Sequence, residues 1–408
     1  MKDEGERANI DRVLIRKILD SRGNPTVEVD VLSGSHVGRC AAPSGASTGK
    51  HEVLAFPKSG IEKAMADFRY DATPRLVGRD ASDQKGLDAL LRELDGTGNF
   101  GKMGGNLAIA TSIAAAKVSA SRRGIPLYRY VSLHERFEMP YPFGNVIGGG
   151  RHAIGGTDIQ EFMVVSFGPS AKDSVFANAL VHRKVRERLV KARPRDALGK
   201  GDEGAWVARI GNHTAMDILS DACKEASDEL GFKCLMALDM AASEFYEKGR
   251  YRYKEGYADP AKQIEFVADI VDEYGLYSVE DPLEQEDYEG YAQLTKAVGK
   301  KCLIVGDDLF VTNVNRLAKG IDMGAANAIL VKPNQIGTLT DMVETVKLAQ
   351  ARGFKTIMSH RSGETTDDTI AHLAVGLGSH GIKTGAVGGE RIAKLNELVR
   401  IEEGLKRS

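Results

Sequence analysis

Between Phe232 and Lys383 short apolar runs recur, each ending at one ionisable side chain and each followed by a longer stretch with apolar residues at helical spacing. Leu235 to Leu238 precede Asp239, Leu276 to Val279 precede Glu280, and Leu303 to Gly306 precede Asp307. Ala328 to Val331 then precede Lys332, Thr356 to Ser359 precede His360, and Gly381-Ile382 precede Lys383. Runs this short and this apolar predict six buried strands, and intervening patterns such as Ile264, Val267, Ile270, Val271 and Tyr274 predict helices. Strand alternating with helix implies a parallel sheet. An ionisable group at the C-terminal end of every strand predicts the active mouth of a (β/α) barrel. The competing architecture, a doubly wound open sheet, gathers its ligands at one switch point instead.

The first part of the chain follows another pattern. Val13, Ile15 and Lys17, then Thr26 to Val31, alternate like strands around the turns Gly23-Asn24-Pro25 and Ser33-Gly34-Ser35. Ser82 to Leu94 sets Leu87, Leu90, Leu91 and Leu94 on one helical face, and Leu107 to Arg123 predicts a second, largely apolar helix. Strands followed by helices predict an α+β domain ending near Pro140 or Pro142. At 408 residues the chain has room for a barrel of about 250 residues and a second unit, so residues 1–138 and 139–408 are the expected division.

Charge narrows the partner. Lys and Arg number 55 against 57 Asp and Glu, a net charge of −2, which gives no global attraction to nucleic acid or to an anionic membrane. A small molecule is expected instead. The basic run His182 to Arg195 has seven Lys or Arg and one acid but no interleaved aromatics, and reads as a solvated helix face. Cys40, Cys223, Cys234 and Cys302 show neither disulfide nor zinc spacing. Met1 to Asn9 lack a signal-peptide apolar core, and Leu107 to Ala120 is interrupted by Thr111, Ser112 and Lys117. A cytoplasmic protein without a membrane span is expected.

The strand ends carry the candidate chemistry. Asp239, Glu280 and Asp307 lie 41 and 27 residues apart, fitting successive βα units, so they converge at one mouth. Three converging carboxylates need a cation, and an oxygen-only ligand set suits Mg²⁺. Lys332, flanked by Val331 and Pro333, is a candidate base for a proton α to a carboxylate. His360-Arg361-Ser362-Gly363 offers a phosphate grip. Ala42 to Gly49 is too rich in Gly and Ser for a regular element, and is either a solvated connection or a lid closing on an anion or metal. Gly148-Gly149-Gly150-Arg151-His152 is a similar loop, and Gly201-Asp-Glu-Gly204 a turn with two carboxylates.

Several of these segments form motifs. Ser44-Gly-Ala-Ser-Thr-Gly49, Gln160-Glu-Phe-Met163, Gly201-Asp-Glu-Gly204, Glu280-Asp-Pro282, Gly306-Asp-Asp-Leu309, Lys332-Pro-Asn-Gln-Ile-Gly337, Ser359-His-Arg-Ser-Gly-Glu-Thr365, Ile382-Lys-Thr-Gly385 and Leu395 to Glu403 resemble the enolase family over nearly the full length. The resemblance implies an α/β fold: a (β/α)8-type barrel with an irregular β2α2 start, capped by a smaller N-terminal α+β domain. It implies a lyase of glycolysis and gluconeogenesis that reversibly dehydrates 2-phosphoglycerate to phosphoenolpyruvate. Two Mg²⁺ per active site and assembly as a homodimer or larger homo-oligomer are also implied. On that resemblance Asp239, Glu280 and Asp307 hold the first Mg²⁺, and Ser47 holds the second together with the phosphate. Lys332 is the base at C2, Glu203 the acid at C3 with Glu161 beside it, and Lys383 contacts the substrate carboxylate. Arg361 and Ser362 take the phosphate, while His152 and His360 complete the closed site.

Two segments depart from the family pattern. Gly148-Gly149-Gly150 stands where Asn-Gly-Gly usually precedes the loop histidine, and Ala205-Trp-Val-Ala-Arg209 replaces the usual Gly-Phe/Val-Ala-Pro-Asn. They leave two alternatives, a drifted paralogue acting as another lyase of the superfamily and a non-catalytic scaffold. Retention of Lys332, Glu203 and the three carboxylates weighs against the scaffold.

Overall fold

The computed structural model describes residues 8–45, 48–153 and 155–407. The alternating N-terminal segment forms a three-stranded antiparallel meander, Arg12–Leu19, Pro25–Ser33 and His36–Ala41. Val13 stands opposite Val31 and Ile15 opposite Val29, which gathers the apolar side chains on one face. The helix Gly105–Arg122 covers that face so closely that a Cβ on Gly38 would lie 1.9 Å from the Ala114 carbonyl oxygen, so only glycine permits the approach. A further helix, Gln84–Asp95, buries Leu87, Leu90 and Leu91; Asp83 caps its start and Gly96, at φ 67°, ends it.

All six predicted strands are present, as Cys234–Asp239, Ser278–Glu280, Leu303–Gly306, Ala328–Val331, Lys355–Ser359 and Gly381–Lys383. Two more, Tyr141–Gly148 and Glu161–Ser166, precede them, and Gly381 to Lys383 pair with Tyr141 to Phe143. That pairing closes the sheet and decides for a barrel against an open sheet. Helices Ala171–Ala192 and Asn212–Leu230 follow the first two strands before regular alternation begins, so the order is β2α2(βα)6. Residues pointing into the barrel, among them Phe143, Met163, Val165, Ala237, Val305, Leu330 and Ile357, pack as one cluster. Their neighbours Val164, Leu238, Ile304, Ile329 and Met358 pack outward in the larger core that includes the helices. Strands buried on both faces explain why the sequence shows continuous apolar runs here instead of alternation.

The second barrel strand, Glu161–Ser166, runs antiparallel to both neighbours. An inverted strand delivers its first residue to the mouth where its neighbours deliver their last, and Glu161 accordingly stands opposite Asp239. The cap is fastened beside this mouth: Ser44 and Gly363 exchange backbone hydrogen bonds of 2.7 and 2.8 Å. A Cβ on Gly363 would meet the Ser44 carbonyl oxygen at 2.9 Å.

The basic run is not simply a solvated face. Lys184 lies 2.7 Å from both Glu225 and Glu229 of the adjacent helix, and Arg188 lies 2.7 Å from Glu225. Those two charges are met within the fold, while Arg183, Arg186, Lys191 and Arg195 are exposed as a solvated face. All four cysteines are buried free thiols, and no helix among the described residues is long and apolar enough to cross a membrane.

Candidate active site

The barrel mouth brings together most of the side chains singled out above. Asp239 and Glu280 are register partners on adjacent parallel strands. Lys383, three strands from Asp239 and four from Glu280 around the barrel, places Nζ 2.9 Å from Asp239 Oδ2, 2.8 Å from Glu280 Oε2 and 3.4 Å from Glu161 Oε1. Lys332 pairs with Asp307 Oδ2, and Asp307 Oδ1 accepts a 2.9 Å hydrogen bond from Gln335 Nε2. Asp239, Asp307, Lys332 and Lys383 line a small cavity, joined there by His152, Glu161 and Glu203 and, from a third side, by His360, Arg361 and Ser362. Glu280 lies just behind that lining, reached through Lys383. Ser47 lies outside the described residues.

Burial and charge oppose each other throughout. Burial, followed by the Asp239 charge, pushes the Glu280 carboxyl well above the carboxylate range, and burial with Glu203 does the same to Glu161. Burial alone would lower Lys332 and Lys383, but Asp307 raises the first and Asp239, with Glu161 and Glu280, raises the second well above the lysine range. Asp307 is lowered: burial pushes it up and Lys332 outweighs that. The donor set fits a hard divalent cation, because Glu280 Oε1 and Glu161 Oε2 are buried carboxylate oxygens without a hydrogen-bond partner. The carboxylates do not meet as one bare triad, however. The described groups whose ligand atoms lie within 4.8 Å of one another are Asp281, Asp307 and Asp308, and His152, Glu161 and Glu203. Asp281 is already used structurally, accepting from Asp307 N at 2.9 Å, Asp308 N at 2.8 Å and Tyr291 Oη at 3.0 Å.

On the other side of the cavity the Gly201 to Gly204 turn carries Glu203, 3 % exposed. Asn145 Nδ2 donates to its Oε2 at 3.1 Å, and His360 Nε2 and His152 Nδ1 lie 3.2 and 3.8 Å from its Oε1. Burial pushes Glu203 up, but His360, His152 and Arg391 hold it well below the carboxylate range. Burial lowers His360 to about 4, leaving it neutral near pH 7. Its Nε2 edge faces Glu203 Oε1 without a completed hydrogen bond. The two departures from the family pattern touch each other here. Ile147 pairs with Trp206, and a Cβ on Gly148 would meet Ala205 Cβ at an ordinary 3.6 Å.

Residues outside the expected set complete the mouth. Glu52, just after the Gly/Ser-rich segment, takes Arg361 in a two-point grip, Oε2 to NH1 at 2.9 Å and Oε1 to NH2 at 3.1 Å. It also accepts from Gly49 N at 3.0 Å, which ties that segment to Arg361. Nothing in the local pattern around Glu52 marks it. Thr312 sits behind Lys332 at φ 55°, donating to Gln335 Oε1 at 2.7 Å and accepting from Lys332 N at 2.9 Å. Ala241, Asp281, Val311 and Thr312, all non-glycine at positive φ, follow the strands that end at Asp239, Glu280 and Gly306. Such conformations cost about 1–3 kcal/mol each and persist where packing over-determines them. Thr312→Val keeps the shape and the φ restriction but strands both partners, so it is expected to destabilise the fold by about 1–3 kcal/mol. A urea midpoint that falls at unchanged slope checks this.

Comparison with known proteins places this geometry. The chain matches the family model for the enolase C-terminal TIM barrel domain over residues 136–408 and that for the enolase N-terminal domain over residues 10–131. It is 53 % identical over 400 residues to the enolase of Methanothermobacter thermautotrophicus, covering 97 % of this chain and 96 % of that protein. It is 48 % identical to that of Methanosphaera stadtmanae, with 97 % of both chains covered, and 51 % identical to that of Natronomonas pharaonis, with 96 and 98 % covered.

Proposed function

The chain belongs to the enolase family and is a lyase, and from that premise we propose that it dehydrates 2-phosphoglycerate reversibly to phosphoenolpyruvate with Mg²⁺. The supporting observation is the single cavity shared by Lys332, at a strand end beside Asp307, and Glu203, held by Asn145 in the glycine-flanked turn. One cavity thus holds a candidate base and a candidate acid.

When bound, Mg²⁺ held by Asp239, Glu280 and Asp307, and a second ion by Ser47 with the phosphate, would supply positive charge beside the substrate carboxylate and offset the Asp307 charge that keeps Lys332 protonated. Lys332 Nζ then takes the proton from C2. Lys383, raised by its three acidic neighbours, stays an ammonium and offers charge to the substrate carboxylate. Glu203 gives a proton to the oxygen leaving C3, which departs as water. An anionic substrate entering the cavity raises the Glu203 pKa toward the protonated form that this step needs. Glu161, pushed up by burial, and His152 flank that carboxyl; Arg361 and Ser362 receive the phosphate, and His360 closes the site.

A coupled assay following phosphoenolpyruvate formation from 2-phosphoglycerate tests the reading. Chelation is expected to abolish turnover and added Mg²⁺ to restore it, since the site offers oxygen ligands and no soft one. No turnover by folded, Mg²⁺-supplied protein would favour the paralogue or scaffold. The same premise extends the proposal to a homodimer or larger assembly, a cytoplasmic location and a division of the chain at residues 138/139. Light scattering on the purified protein tests the assembly.

A further inference from the structure

We propose that Arg391 is a positioning residue that fixes the tautomer of His360 and, through it, the orientation of Glu203. The role in catalysis rests on the reaction proposed above; the tautomer does not.

Arg391 is fully buried in the C-terminal helix Gly389–Arg407. Its NH1 lies 2.9 Å from His360 Nδ1 and donates at 2.6 Å to the Arg361 carbonyl oxygen. Its NH2 donates to the carbonyl oxygens of Ser362, at 2.6 Å, and Asp202, at 3.1 Å. Nε lies 3.2 Å from Glu390 Oε1. One guanidinium therefore ties the loop of His360, Arg361 and Ser362 to the turn that carries Glu203. The rigid fork of arginine spans these acceptors; the single nitrogen of lysine does not.

A guanidinium donates and never accepts, so the Nδ1 atom it faces must present a lone pair. A proton on Nδ1 would set donor against donor at 2.9 Å beside a full positive charge. The ring therefore carries its one proton on Nε2, the nitrogen 3.2 Å from Glu203 Oε1. That contact falls short of full hydrogen-bond geometry here, as catalytic contacts often do before substrate binds. With Asn145 donating to Oε2, both oxygens of Glu203 then face neutral N–H groups. These groups set the orientation of the carboxyl without adding a titrating charge beside it. The burial that lowers His360 to about 4 agrees with a neutral ring.

The test is ¹⁵N NMR of histidine-labelled protein at neutral pH, with the His360 signal identified among nine histidines by its loss in His360→Gln. His360 is expected as the Nε2–H tautomer. An Nδ1–H tautomer or an imidazolium in the wild-type protein overturns the proposal, and that reading needs neither a folded variant nor substrate. Arg391→Lys keeps the charge but loses the fork. It is expected to let the Nδ1–H form appear and to slow dehydration by about ten- to a hundredfold, part of what general acid catalysis contributes, while C2 proton exchange stays near wild type. Unchanged dehydration in a folded Arg391→Lys protein also overturns the proposal. Absence of any turnover in the wild type would instead sink the assigned reaction and leave the tautomer standing.

Discussion

Lys332→Ala is expected to abolish exchange of the 2-phosphoglycerate C2 proton with solvent and to lower turnover by about 10⁴-fold, the upper range for removal of a general base. Alanine also strips the buried Asp307 carboxylate of its ion pair, leaving only the Gln335 hydrogen bond. Leaving a charge buried without its partner costs about 3–5 kcal/mol, so loss of activity alone would be ambiguous. Lys332→Arg separates the two effects. A guanidinium keeps a cation beside Asp307 but does not give up its proton near neutral pH. This variant is expected to keep most of the stability while losing exchange as completely as alanine. NMR of the C2 position in ²H₂O, alongside a urea titration of each variant, reads both quantities. Exchange at the wild-type rate in Lys332→Ala would remove Lys332 from the role of base and leave His360 or Lys383 as the next candidates.

How much of this site was legible in the sequence depended on regularity. Asp239, Glu280, Asp307, Lys332, His360 and Lys383 each follow an apolar run, so their convergence at one mouth could be read before any fold was known. Glu161 offers no such signal: it begins a strand, and only the inversion of that strand brings it to the mouth opposite Asp239. The first two barrel strands were likewise indistinct, because their helices follow as a pair and break the alternation. The resemblance to the family supplied what periodicity could not.

Other features lie beyond local pattern altogether. Arg391 belongs to a helix crowded with Glu390, Lys394 and Glu397, where an arginine reads as solvated surface. Its burial follows from two loops that meet only in three dimensions. Glu52 acquires its meaning from Arg361, 309 residues away. The sequence also suggested a simple carboxylate triad. In the fold, Lys383 bridges Asp239 and Glu280, while Asp307 is held by Lys332 close to Asp281 and Asp308. Compensating ammonium groups so close to the acids cannot be placed by spacing along the chain, because they come from strands far apart in sequence.

Glu203→Gln is expected to divide the reaction at the opposite point, keeping C2 proton exchange while losing dehydration by about 10²–10⁴-fold. The substitution is gentle on the fold. Glu203 accepts from Asn145 Nδ2, and a glutamine that keeps its oxygen toward His360 must turn its own N–H toward Asn145. Asn145 Oδ1 is buried without a partner, so rotating that amide presents an acceptor and restores the pair. Stability within about 1 kcal/mol of wild type is therefore expected. Chemically the outcome follows from the separation of tasks. Lys332 still reaches the C2 proton, and the resulting carbanion can be reprotonated from the same side. The hydroxyl on C3, however, finds an amide where it needs an acid. Exchange without product is the signature, read by NMR for the proton and by the phosphoenolpyruvate assay for the product. If exchange and dehydration fall together in a folded Glu203→Gln protein, Glu203 acts before or with proton removal, and the assignment of separate base and acid fails.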